Sequence, residues 1–247
     1  MRYFFYIAYK GSDYHGWQIQ PNVKTVQQVI TDCMTKILRE PIEILGSGRT
    51  DTGVHASEQV FHCDINGKHE LEKLMYKLNG ILPPDIAINK ICPVIPEAHA
   101  RFDAYERSYV YKMHQLKTPF FKNESAFIPT QLDFDAMNKA AELLLGNHNF
   151  QCFSKIKTEV NNFICDISLA KWEQSENGWE FKVTANRFLR GMVRAIVGTL
   201  IEVGEGKLSQ TDFFEIIKSK DRRRAGKAVP AEGLYLCAVK YIDEIFK

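Results

Sequence analysis

Between Gly46 and Ala56 the chain reads Gly-Ser-Gly-Arg-Thr-Asp-Thr-Gly-Val-His-Ala. One carboxylate, Asp51, stands two residues from the Arg49 guanidinium, with glycines at 46, 48 and 53. Glycine opens backbone angles closed to other residues and lets a ligand approach closely. A guanidinium beside a carboxylate favours the charged form, which makes Asp51 a candidate nucleophile. The segment is not a phosphate loop, because no Lys-Ser/Thr follows the glycines and GxGxxG spacing is missing. It is not a calcium loop either, because the alternating oxygen ligands are absent. Read alone, it fits a polar turn with a solvated ion pair as well as it fits a catalytic site.

The flanking pattern places this segment between strands. Arg2 to Tyr9 reads as an opening strand. Thr25 followed by Gln28 suggests a capping box, and Val26, Val29, Ile30, Cys33 and Ile37 form an apolar helical stripe. Ile42 to Leu45 leads into the Asp51 loop, and a strand is expected near Gln59 to Ile65. A second helix carries Leu71, Leu74, Met75 and Leu78 and is expected to be ended by Asn79-Gly80 and Pro83-Pro84, before a strand from Ile86 to Val94. His55 and Trp17 read as loop or packing residues. A loop tip is where functional groups are usually displayed, which suits Asp51.

The second half repeats the grammar. Tyr109, Tyr111 and Met113 alternate on a strand. Phe134 to Leu144 reads as a helix closed by Gly146, and Glu176-Asn177-Gly178 marks a hairpin turn. Met192, Val193, Ile196, Val197, Leu200 and Ile201 stripe a helix from Arg190 to Val203. Ser209 caps another helix, and Leu234 to Tyr241 is the last strand. The repetition predicts two α+β halves facing one another, residues 1–104 and 105–247.

Composition bounds the class. With 247 residues, 45% hydrophobic and 25% charged, the chain has the make-up of an ordinary globular protein of one or two domains. Six dispersed cysteines without a CxxC pair argue for reduced cytosolic thiols, against a disulfide framework or a structural zinc site, and for a cytoplasmic protein. No apolar run reaches the length of a membrane span. The net charge is only +2, but basic residues cluster. Six lie between Lys218 and Lys227, including Arg222, Arg223 and Arg224, and Arg187, Arg190 and Arg194 form a second group. Each run alone fits a solvated face; together they suit a phosphate-binding surface. Arg187 and Arg190 also lie near a helix start, where N–H groups favour phosphate.

Gly48 to Ala56 resembles the GRTDAGVHA signature of the TruA-type tRNA pseudouridine synthases, with Thr52 where alanine is usual. Tyr9 to Gln20 resembles that family's opening YDGxxYxGWQxQ segment, with Lys10 replacing the aspartate. His99-Ala100-Arg101-Phe102 resembles its FHARF, Gly146 to Phe153 its GxHDFxxF, Met192 to Leu200 its MVRxIVGTL, and Pro230 to Leu236 its PAxGLxL. The blocks keep the family order. The resemblance implies two ferredoxin-like halves whose sheets join across a central basic cleft. It implies isomerisation of uridine to pseudouridine at positions 38, 39 and 40 of the tRNA anticodon stem-loop, by a homodimer with neither an organic cofactor nor a metal. It makes Asp51 the catalytic group at the ribose, pairs Arg194 with it, stacks Tyr109 under the target base, and lets Arg49 fill the space an extruded base leaves. Glu106 to Tyr111 departs from the family's RRYRY, with serine at 108 and valine at 110; Tyr111 is the alternative to Tyr109. Two other readings stand beside this one. The first is an RNA-binding protein of the same fold without catalysis. The second is an aspartate-nucleophile hydrolase, which would need a second carboxylate or a metal; Glu58 is the nearest acid.

Overall fold

A computed structural model describes residues 1–156 and 161–247. The chain divides into two compact units, residues 1–106 with 236–247, and residues 107–235. Both mix strands and helices, an α+β architecture. The strands are β1 (Arg2–Tyr9), β2 (Leu45–Gly46), β3 (His55–Asp64), β4 (Ile86–Pro93), β5 (Glu106–His114), β6 (Ala126–Phe127), β7 (Gly146–Asn149), β8 (Ile164–Ser175), β9 (Gly178–Ala185) and β10 (Leu234–Lys240). The helices are α1 (Val26–Leu38), α2 (Leu71–Ile81), α3 (Phe134–Ala141), α4 (Met192–Gly204) and α5 (Gln210–Ser219). Among the described residues, no helix is long and apolar enough to cross a membrane.

In the first unit the strands run in the order β4-β1-β3-β10, with β2 paired to β3. β1 is antiparallel to both neighbours, so Phe5 lies opposite Phe61 and their rings stack 4.8 Å apart. The last strand, which sequence order assigns to the second half, clusters here: the Val239 N–H donates to the Glu58 carboxylate at 3.1 Å. Thr25 caps α1 by accepting the Gln28 N–H, but the reciprocal half of the expected box is missing, because the Gln28 side chain donates to Asp32 instead. α2 runs through Asn79-Gly80 to Ile81. Asn79 does not stop it, because its amide both donates to and accepts from the Ile88 backbone at 2.8 Å, tying the helix to β4.

The second unit orders β5-β9-β8-β7, with β6 parallel to β5. Glu176-Asn177 turns β8 into β9 as the sequence suggests. Ser209 and Asp212 complete a capping box on α5. The helix striped from Met192 begins at that residue rather than at Arg190, because Gly191, at φ +71°, takes the N-cap in the left-handed region. Trp172, Phe181, Phe150, Phe153 and Phe213 are fully buried and form its aromatic core.

The chain after β4 is fixed by a buried histidine. His62 Nδ1 accepts the Ala100 N–H at 3.1 Å, and its ring lies 4.6 Å from that of His99. Burial pushes the His62 pKa down from 6.5 to about 4; His99 and Arg2 act in the same direction, while Asp64 and Asp103 oppose it. The folded state therefore prefers neutral His62, so its contribution is fully present above pH 6.5 and is lost as pH falls through 6.5 towards 4. At about 1.4 kcal/mol per unit, that loss reaches a few kcal/mol. Urea unfolding between pH 7 and pH 4 should show this slope in wild type and a shallower one in His62→Gln. Equal slopes would remove His62 as its source.

Candidate active site

The Asp51 loop is held by the segment that precedes α1. The Trp17 N–H donates to the Thr50 carbonyl at 3.2 Å, and the Gly53 N–H donates to the Tyr14 carbonyl at 3.4 Å. Tyr9 and Thr50 hydroxyls meet at 2.8 Å inside the unit. The Val54 N–H closes onto the Asp51 carbonyl at 3.1 Å, with Gly53 at φ +79°. A positive φ at the third residue is that of a type II turn, so Asp51 opens a four-residue turn that requires the glycine. Asp51 itself is half-buried and Arg49 is exposed.

Two buried glutamines fix the approaches, each using both ends of its amide. Gln59 accepts the Ser47 hydroxyl and donates to the Gly48 carbonyl, both at 2.8 Å. Gln27 accepts the Ile19 N–H at 3.0 Å and donates to the Ile44 carbonyl at 2.9 Å. An amide satisfied at both ends avoids the penalty of a buried polar group and fixes two loops at once. His55, fully buried, accepts the Gly11 N–H on Nδ1 at 3.1 Å. Trp17 is buried against the loop, its indole where a Cβ on Gly46 would stand. Both are packing residues, as their sequence positions suggested. Glu58 is engaged by the Val239 N–H.

Arg49 donates through Nε to Gln18 Oε1 at 3.0 Å. Gln18 had no role in the sequence reading, although it lies in the same segment as Gly16 and Trp17. Tyr9, Ser47, Gln27 and Gln59 were missed as loop supports because their partners lie 8 to 41 residues away along the chain.

In the second unit Tyr109 is half-buried opposite Val183 on β9, with its ring edge-on to Phe188 at 5.0 Å. Tyr111 is fully buried and donates to the Pro230 carbonyl at 3.1 Å, which makes it a core residue. The serine at 108 bonds across the sheet to Thr184 at 2.8 Å. Half-buried Arg194 is tied to the chain before β10. Its Nε donates to the Val229 carbonyl at 2.7 Å, and the Val229 N–H returns to its own carbonyl at 3.2 Å. That segment comes so close to α4 that a Cβ on Gly198 would stand 1.8 Å from the Lys227 carbonyl oxygen. Arg187 is half-buried and Arg190, ahead of the helix, is exposed. Burial pushes the Cys165 thiol up to about 11, with Arg187 acting against it.

The three consecutive arginines differ in their surroundings. Arg222 donates to the Ala225 and Gly226 carbonyls at 3.1 Å and closes its own turn. Arg223 forks onto Asp221, which holds that carboxyl down at about 2. Arg224 is exposed. Among the described residues, no three His, Cys, Asp or Glu side chains are placed to hold a metal ion.

The glycines of the loop give a test of its construction. Gly16 has φ +81°, and a Cβ there would stand 2.4 Å from the Thr50 carbonyl oxygen, whereas a Cβ on Gly48 would meet nothing within 4 Å. Gly16→Ala should cost about 2 kcal/mol or more, from backbone strain and the collision. Gly48→Ala should stay within about 0.5 kcal/mol. Denaturant unfolding of the two variants checks the contrast, and equal losses would mean that the clamp is not built through Gly16.

A family model described as tRNA pseudouridine synthase matches residues 6–103 and 140–242. The chain is 48% identical to the tRNA pseudouridine synthase A of Bacteroides fragilis, over all of this chain and 98% of that one. It is likewise 48% identical to that of Parabacteroides distasonis, over 99% of this chain and 98% of the relative. It is 38% identical to the Staphylococcus aureus protein of the same name, over 99% and 93% respectively.

Proposed function

The chain belongs to the tRNA pseudouridine synthase family, and from that premise we propose that Asp51 is the carboxylate that acts on the target ribose. The reaction class is an intramolecular isomerisation of uridine in tRNA. The C1′–N1 bond breaks, the uracil turns, and a C1′–C5 bond forms; C5 gives up its proton and N1 gains one. The uracil never departs into solvent, so one carboxylate suffices, either attacking C1′ or taking a ribose proton. A glycoside hydrolase needs a second to protonate the leaving group or activate water. The observation that carries the assignment is the turn at Asp51–Val54, held by the Gly53 N–H on the Tyr14 carbonyl and, one residue ahead of it, by the Trp17 N–H on the Thr50 carbonyl, while Asp51 stays half-exposed at its first position. A reacting group on a rigid support starts near its productive geometry.

Other roles follow in the same reading. Arg194 orients the Asp51 carboxylate with its planar fork. Tyr109 packs against the target base, and its half-exposed ring on Phe188 supports that choice over Tyr111. Arg49 occupies the space left by an extruded base, a step that costs a few kcal/mol of stacking and pairing. Arg187 and Arg190 meet nearby phosphates, and Arg224 carries the outward charge of the arginine run. The substrate is the anticodon stem-loop at positions 38, 39 and 40, bound by a homodimer in the cytoplasm without metal or organic cofactor.

Asp51→Asn should leave tRNA affinity nearly unchanged and lower tritium release from C5-labelled tRNA by about 10³ or more. Turnover within tenfold of wild type ends the assignment. Arg194→Lys should slow single turnover by at least about tenfold, or 1.4 kcal/mol, because lysine is a point charge without the fork. Arg190→Lys should stay mild. Equal effects of the two would dissolve the Asp51–Arg194 pair. Arg224→Gln should flatten the salt dependence of tRNA binding by about 0.9 in slope, whereas Arg222→Gln should mainly lower thermal stability. An unchanged slope would leave Arg224 as a solvated residue.

A further inference from the structure

His99 to Asp103 is a short segment whose backbone is anchored to buried and local partners while Arg101 and Phe102 are exposed. Ala100, fully buried, is bonded on both sides: its N–H donates to His62 Nδ1 at 3.1 Å, and its carbonyl accepts the Tyr241 hydroxyl at 2.6 Å. The His99 N–H donates to the Asp103 carboxylate at 2.7 Å, and the Asp103 N–H returns to the His99 carbonyl at 3.1 Å. His99 Nδ1 accepts the Arg101 and Phe102 N–H groups at 3.1 and 3.4 Å. On this frame the Phe102 ring lies 4.3 Å from the His99 ring, with the Arg101 guanidinium 5.5 Å from its centroid. Phe102 is nevertheless 72% exposed, and Tyr105, three residues on, is 51% exposed.

A lone exposed apolar side chain is ordinary. Here a large ring is kept in water beside an arginine, on a backbone fixed by six hydrogen bonds to buried or local partners. Fixing the backbone in advance removes the ordering cost that a flexible loop pays on binding. Asp103 accepts the His99 N–H, and the exposed Asp64 carboxylate is paired with the Arg2 guanidinium, while Arg101 stands beside the Phe102 ring as the cation of the turn. Rings that take a base and guanidinium groups that take a phosphate are the means by which proteins hold unpaired RNA.

We propose that Arg101 and Phe102 form an RNA-contacting element of this chain, with Phe102 packing against an unpaired base and Arg101 meeting a phosphate of the same tRNA. The inference rests on the tRNA-modifying reading and extends it to residues outside the Asp51 turn. It favours RNA over a second copy of the chain because the ring comes paired with a cation.

The test is filter binding of full-length tRNA across a salt series, with sedimentation of each variant. Phe102→Ala should raise Kd roughly five- to hundredfold, the loss of one stacked base, and Phe102→Trp should restore it. Arg101→Gln should lower the salt slope by about 0.7, the single-strand value for one phosphate. The anchoring bonds use backbone and His62, His99, Asp103 and Tyr241, so both variants should unfold at the wild-type urea midpoint. Unchanged Kd in both variants overturns the proposal. So does a fall in sedimentation mass for Phe102→Ala, which would assign the ring to contact between copies. Retained turnover in Asp51→Asn removes the catalytic assignment and leaves this binding comparison standing, so the two readings fail separately.

Discussion

The first unit depends on a backbone exchange between two loops distant in sequence. Trp17 donates to Thr50, and Gly53 donates to Tyr14. Neither loop has regular structure of its own, so each supplies the other with the partners that a strand would provide. Side chains then lock the exchange from beneath: Tyr9 on Thr50, Gln59 on Ser47 and Gly48, and Gln27 on Ile19 and Ile44. The consequence is local rigidity at one carboxylate. Asp51 opens a turn closed by the Val54 N–H and held by the Gly53 N–H on the Tyr14 carbonyl, with Thr50 just ahead of it bonded to Trp17, which is the condition for a reactive group to be displayed without wandering.

The second unit positions its arginines by similar means. Arg194 is bound at both backbone and side chain to Val229, and the Gly198 close approach keeps that segment against α4. Thr199 adds a bridge, donating to the Ala195 carbonyl and accepting the Gly226 N–H. An arginine held at Nε keeps its terminal nitrogens directed, and it is less exposed than the arginines at 190 and 224.

Much of this was legible in the sequence, for reasons that differ by element. Strand alternation and helix stripes gave β1, α1, α3 and the β8–β9 hairpin, because burial on one face leaves a period in the residue types. The α4 start was misplaced at Arg190: Gly191 takes a left-handed cap that an apolar stripe does not register. α2 runs through Asn79-Gly80, where the Asn79 amide is used across the fold by Ile88, and ends at Ile81 ahead of the Pro83-Pro84 pair. The Asp51 loop stood out through its residue types, but its supports did not. Gln27 and Gln59 resemble surface glutamines in a linear sequence and are buried only through contacts that folding brings together. The triple arginine shows the converse, since three equal letters have three different surroundings.

The central claim is that the clamp serves the Asp51 carboxylate and not stability alone. Tyr9→Phe removes one hydroxyl, and with it the bond to Thr50, while keeping the ring. The decisive measurement is the single-turnover rate of pseudouridine formation by this variant with tRNA at saturation, taken well below its unfolding temperature, together with tRNA affinity. The account predicts a rate lowered by about tenfold with affinity unchanged, as expected when a reacting group loses its positioning. A wild-type rate in a variant that has lost only the roughly 1 kcal/mol of one hydrogen bond would contradict it, and would make the clamp purely structural.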